Sequence, residues 1–207
     1  NDDFIIQSSI EKLLIFLNNN PAYVSAGSPI IEMQIDNFST NFTGKKSTLV
    51  GRYAHFRDEE PLPSWEDQIN DTFVEFQPNF YHIYRREVLL KIWKEILECD
   101  FSDLTIMEFY YQLRAPTFGK QYSDPSITHY IRQSGTGSWE SRDYDFSRQL
   151  VYNDLPKDIR LVADRIGKIL SENFNEDYHA MYAKTLDSYA KHLNNYLPHN
   201  VMRWRWP

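Results

Sequence analysis

The chain has a single cysteine, Cys99, in 207 residues. One thiol closes no intramolecular disulfide and cannot furnish a four-cysteine zinc site, so disulfide scaffolds and zinc ribbons are excluded. Such usage fits a reducing compartment, and a cytoplasmic location is the expectation. Secretion stays open, because the chain begins at Asn1 rather than methionine and an upstream signal segment would go unseen. Long apolar runs are also missing: none approaches the ~18 residues that span a bilayer as a helix, so no membrane partner is expected. Positive charge is short. Lys and Arg number 22 against 29 Asp and Glu, a formal charge of −7. Broad adhesion to phosphate backbones relies on clustered cations, which makes nucleic acid a disfavoured partner and a basic protein the easier one. Paired histidines are absent too. The six, at 55, 82, 129, 179, 192 and 199, never recur at the helical i, i+3 or i, i+4 spacing that places two metal ligands on one face, and neither metal nor cofactor is expected. Acidic neighbours Glu98 and Asp100 disfavour a thiolate at Cys99, which reads as structural.

What the chain has in excess is aromatic: 14 Tyr, 13 Phe and 5 Trp make up 15% of it. The plain account is an aromatic core, and the sharper one is a ligand pocket or protein interface, where Tyr and Trp supply large contact area at low entropic cost. Three N-x-S/T triplets begin at Asn37, Asn41 and Asn70, about what chance allows, and would matter only in a secreted protein.

The pattern predicts an α+β protein, predominantly helical, with a small antiparallel sheet in the first third packed against about six helices. Ile6, Ile10, Leu13, Leu14 and Leu17 form a first amphipathic helix after Asp2 and Asp3, stopped by NNNP at 18–21. IIEMQID and DTFVEFQ alternate as strands do, separated by turn clusters such as GKKST. After Pro78, Tyr81, Tyr84, Val88, Leu89, Ile92, Trp93, Ile96 and Leu97 read as one buried stripe of a helix over about 79–98. Further helices are expected from about Asp103 to Pro116, from Leu155, and over about 176–197. A single domain is expected, with residues 1–77 as a helix-and-sheet lobe and 78–207 as a helical lobe. The C-terminal RWRWP reads as a docked tail or an exposed anchor.

The stretch SITHYIRQSGTGSW, from Ser126 to Trp139, fits both periods. As a helix it has Asp124 as N-cap, Pro125 in the first position and Gly135 as stop, and these signals outnumber those for a strand. That reading raises a helix-turn-helix with 103–114 and 125–134, though the connection from Ala115 to Asp124 exceeds the usual three or four residues. Gly135 and Gly137 could cradle an anion, with Arg142 nearby, but lack the spacing of a phosphate-binding loop.

Two other clusters are candidates for chemistry, although a structural ion pair for the first and a solvated loop or sheet edge for the second are the plain accounts. In YHIYRRE, Arg85 lies at the edge of the buried stripe and needs an acceptor, for which a carboxylate such as Glu75 or Asp71 is the plain choice and a substrate anion the functional one. RYAHFRDEE offers His55 and Arg57, which could approach His82 and Arg85 if the sheet lies against that helix.

Three function classes follow. The first is an acidic binding protein, an accessory subunit or an antagonist of a basic protein, acting through an aromatic surface with Trp139, Trp204 and Trp206 as interface candidates. The second is an enzyme with His82 and His129 as acid and base and Arg85 and Arg132 holding a small anionic ligand. The third, least favoured, is nucleic-acid recognition.

Overall fold

The computed structural model describes residues 4–35, 47–53, 65–74, 79–101, 104–134 and 155–196. A two-residue strand β1 (Phe4–Ile5) leads into helix α1 (Gln7–Asn19), whose inner face is Ser9, Leu13 and Leu17. Ile6 stands at its N-cap without a side-chain bond, so Asp2 and Asp3 do not begin it. Asn20 ends it, returning its side-chain amide to Phe16 O at 2.8 Å before Pro21. Strands β2 (Tyr23–Gly27), β3 (Ile30–Ile35) and β4 (Ser47–Tyr53) follow, then helix α2 (Trp65–Val74). A 3-10 turn over Asn79–Tyr81 precedes β5 (Ile83–Tyr84), α3 (Arg86–Cys99) and α4 (Leu104–Arg114). A second 3-10 turn, Ala115–Phe118, leads to β6 (Lys120–Ser123) and β7 (Tyr130–Ser134), and two long helices, α5 (Leu155–Phe174) and α6 (Tyr178–Tyr196), follow.

The class is α+β with helix predominating, and six α-helices lie among the described residues. The sheet differs from expectation in number and direction. One sheet has the order β1-β7-β3-β4 and the other β5-β2-β6. β3 runs parallel to β7, and β2 parallel to β6, so both sheets are mixed. Their strands come from either side of residue 77. No helix among the described residues is long and apolar enough to cross a membrane.

Three local expectations are overturned. The segment 125–134 is not a helix. Asp124 does accept from Ser126 N at 2.9 Å and Ser126 Oγ at 2.6 Å, but this closes a turn. Asx-turn and N-cap chemistry use the same residues, and the long-range pairing of Ile131 with Phe4 and Ile31 decides for a strand. Without that recognition helix the helix-turn-helix expected from 103–114 and 125–134 is not formed. DTFVEFQ contributes to α2 rather than a strand: Trp65, Ile69 and Phe73 recur every four residues, and Phe73 is buried in the main core. The helix expected over 79–98 begins only at Arg86, because Ile83 and Tyr84 pair with Ala26 and Ser25 of β2.

The main core joins Val88, Ile92 and Ile96 of α3 to Ile106, Phe109, Tyr110, Tyr111 and Leu113 of α4, and to Ile159, Val162, Ile166 and Leu170 of α5. A smaller cluster, Leu13, Leu17 and Ala26 with Phe16, Tyr23, Ile83 and Tyr122 against it, holds α1 to the β5-β2-β6 sheet. Here the Phe16 and Tyr122 rings stack at 3.7 Å. Much of the aromatic excess is therefore core.

Candidate functional site

Two histidines far apart in sequence meet where the two sheets adjoin. β2 and the residue after it offer Ser25 and Ser28, both buried. His82, 8% exposed, places Nδ1 3.2 Å from Ser25 Oγ, and its ring lies against Gly27 so closely that a Cβ there would come within 2.1 Å of Cδ2. Only glycine admits the ring. His129, 2% exposed, places Nδ1 2.7 Å from Ser28 Oγ and Nε2 2.8 Å from the carbonyl of Tyr81, the residue before His82.

The tautomer of His129 follows from its partners. The Tyr81 carbonyl can only accept, so Nε2 carries the proton and Nδ1 accepts from the Ser28 hydroxyl. Ser28 Oγ in turn accepts from the backbone N–H of His129 at 2.9 Å. Burial lowers the pKa of His129, against the opposing pull of the Tyr81 carbonyl. Burial likewise brings His82 down to about 3, and the neighbouring His129 adds to the shift. Both rings are neutral at pH 7.

Around His82 the polar side chains form one connected set. Gln121 Nε2 donates to Ser25 Oγ at 3.1 Å and to the Tyr84 hydroxyl at 2.9 Å. Asn79 Nδ2 donates to Gln121 Oε1 at 3.1 Å, and the Tyr84 hydroxyl donates to Asn79 O at 2.9 Å. Burial, with Tyr111 nearby, holds the Tyr84 phenol well above its ordinary pKa. A serine hydroxyl donating to a neutral imidazole is the ground state of a nucleophile and its base. Here, however, Ser28 is 1% exposed and also binds the backbone of the same histidine, so neither atom is presented to a substrate. What the bonds do is tie the β2–β3 junction to β7 and to the turn before β5.

Arg85 does not join this pair. It stands at the N-cap of α3, and its guanidinium donates to Tyr23 O at 2.8 Å, Leu17 O at 2.6 Å and Asn20 O at 3.2 Å. The acceptor expected to be a carboxylate is thus a set of backbone carbonyls, two of them at the end of α1. That end carries the negative pole of the helix, which suits a cation. Arg132 pairs with Glu32 in the backbone register of β3 and β7. Its side chain, with Gly135, Gly137, Trp139, Arg142, Trp204 and Trp206, lies outside the described residues, as do His55, Arg57, Asn37 and Asn41. Asn70 is exposed on α2, where its side-chain oxygen takes the Lys184 ammonium. Burial raises the Cys99 thiol first, Arg165 opposes the shift, and Glu95, Glu98 and Asp158 add to it, consistent with a structural thiol.

Two surface features were not expected. An open depression of about 520 Å³ between α5 and α6 is lined by Arg160, Leu161, Asp164, Tyr178, His179 and Tyr182. Its carboxylate is engaged: Asp164 accepts from Lys168 at 2.7 Å and from the Tyr178 hydroxyl at 2.9 Å, and Lys168 leads in holding it below the usual carboxylate range. The second is the outer face of α3. Leu97, assigned above to the buried stripe, is 76% exposed, and Leu90 is 55% exposed. Trp93 lies half-buried between them, its ring 6.4 Å from those of Phe80 and Tyr111. Glu95, on the flank toward α4, makes a two-pronged ion pair with Arg114 at 2.7 and 2.9 Å and accepts from Tyr110 at 2.8 Å. This clamp fixes the rotation of α3 and keeps the leucines outward.

No family model, no curated protein and no solved structure matches the chain.

Proposed function

We propose that the chain is a protein-binding module that acts through the outer face of α3. The observation that carries this reading is the exposure of Leu90 and Leu97 on one helix face beside Trp93. Two leucines more than half exposed one above the other cost free energy in water, about 25 cal/mol for each Å² left uncovered, and Trp is the residue type most concentrated at binding hot spots. The enzymatic alternative draws less support. His82 and His129 do meet, but both are neutral, inward-facing and engaged with buried serines, while Arg85 is occupied with α1.

A photo-crosslinking side chain placed at position 97 tests the reading in the native source. Discrete protein adducts are expected there and not from position 172, where Glu172 is exposed on α5. Equal adduct formation at the two positions would refute it. Leu97→Lys should abolish the adducts formed from a second crosslinker at position 90 while shifting folding stability by no more than about 0.5 kcal/mol, as for ordinary surface substitutions.

A further inference from the structure

We infer that the face of α3 is self-complementary and that its occupant is a second copy of this chain, docked antiparallel. The inference rests on the binding reading above and names the partner.

Five residues define the line. Arg86, Leu90, Trp93, Leu97 and Asp100 follow at intervals of four, three, four and three, the spacing that keeps side chains on one seam of a helix. Arg86, Leu90, Leu97 and Asp100 are exposed, and Trp93 is half-buried at the centre. The seam opens with a cation and closes with an anion. Arg86 is the first residue of α3, and Asp100 is its C-cap in the left-handed conformation, φ 50° and ψ 50°. Neither makes an ion pair among the described residues.

The order of these residues reads nearly the same in reverse with the charges exchanged, which is the condition for a two-fold contact in which one patch meets itself. A two-fold axis passing beside Trp93 brings Arg86 of one copy to Asp100 of the other, and Leu90 to Leu97, each twice. Arg86 also approaches the carbonyl end of the opposing helix, where a cation is favoured. A parallel pairing would instead set Arg86 on Arg86 and Asp100 on Asp100. A basic partner, the expectation from net charge, finds a face with a cation at one end. An acidic one finds an anion at the other. Only an occupant carrying both signs in the reverse order satisfies both ends, and a second copy supplies it.

The seam is short. Fourteen residues of helix rise about 21 Å, which places the contact at the small end of specific interfaces, below about 1,200 Å² in total. The association is therefore reversible and concentration-dependent, not obligate.

Sedimentation velocity on the full chain, from about 5 µM to about 1 mM, tests it. A monomer passing to a dimer across that range is expected. Leu97→Lys should leave a monomer throughout with an unchanged melting temperature. Arg86→Asp and Asp100→Arg should each weaken the dimer at least tenfold, and the two combined should restore it. Asp100→Asn, which tolerates the left-handed backbone, should weaken the dimer without disturbing the fold. A monomer at every concentration, or a dimer indifferent to Leu97→Lys and to the charge exchange, would overturn the inference. If the chain stays monomeric while position 97 still crosslinks to a different protein, the second copy is wrong and the binding reading stands. If position 97 crosslinks nothing above control, both fall.

Discussion

A histidine that stays neutral through the acid range makes the fold sensitive to pH. His82 titrates at about 3 in the folded chain and at an ordinary 6.5 when unfolded. Below pH 6.5 the unfolded state therefore binds a proton that the folded state refuses, and stability falls as pH falls, by up to about 1.4 kcal/mol per unit. By pH 5 this one side chain costs about 2 kcal/mol, and His129, lowered in the same direction, adds to it. Urea midpoints at pH 7.5 and pH 5 measure the effect. His82→Gln should flatten part of the slope, whereas equal midpoints in the parent would contradict the buried neutral ring. His82 and His129, expected in one site, do adjoin. Gly27, Ser25 and Ser28 enclose them through contacts that are set by how two sheets meet and leave no mark in the sequence.

Arg85 acts on an element rather than on another side chain. Replacing it with Ala leaves three carbonyls without a charged donor, and the loss should be about 1.5–3 kcal/mol, the range for hydrogen bonds to an ionised group. The effect should concentrate in α1: amide exchange over Leu13 to Asn19 should quicken more than in α5. Arg85→Lys should recover only part, because an ammonium does not match the planar guanidinium fork. Uniform exchange rates across the helices of Arg85→Ala would refute this placement. The same arginine marks where legibility in the sequence stopped. Its need for an acceptor could be read from its position at the stripe's edge, but backbone carbonyls leave no side-chain signature. The α5 and α6 helices were legible because their periodicity runs over many turns. The start of α3 was not, since Tyr81 and Tyr84 keep helical phase while the chain is in fact turning and pairing. Leu97 fits the stripe by spacing, yet α3 ends two residues later at Cys99 and the α4–α5 core does not extend to cover it.

At the scale of the whole molecule, the two sheets depend on pairings across residue 77. β1 and β3 both border β7, and β2 has β5 on one side and β6 on the other. Of the described strand pairings, residues 1–77 expressed alone would keep β3–β4 and lose the rest, and far-UV circular dichroism should find that fragment largely unfolded. A cooperative thermal transition in it would show a first lobe able to stand by itself. Strand pairing of this kind also sets a clock. During synthesis the free edge of β3 must wait from residue 35 until residues 130–134 emerge, an interval of about 5–20 s at ordinary elongation rates. An open edge held that long is a template for another chain, so the nascent protein is most exposed to mispairing before its own seventh strand arrives.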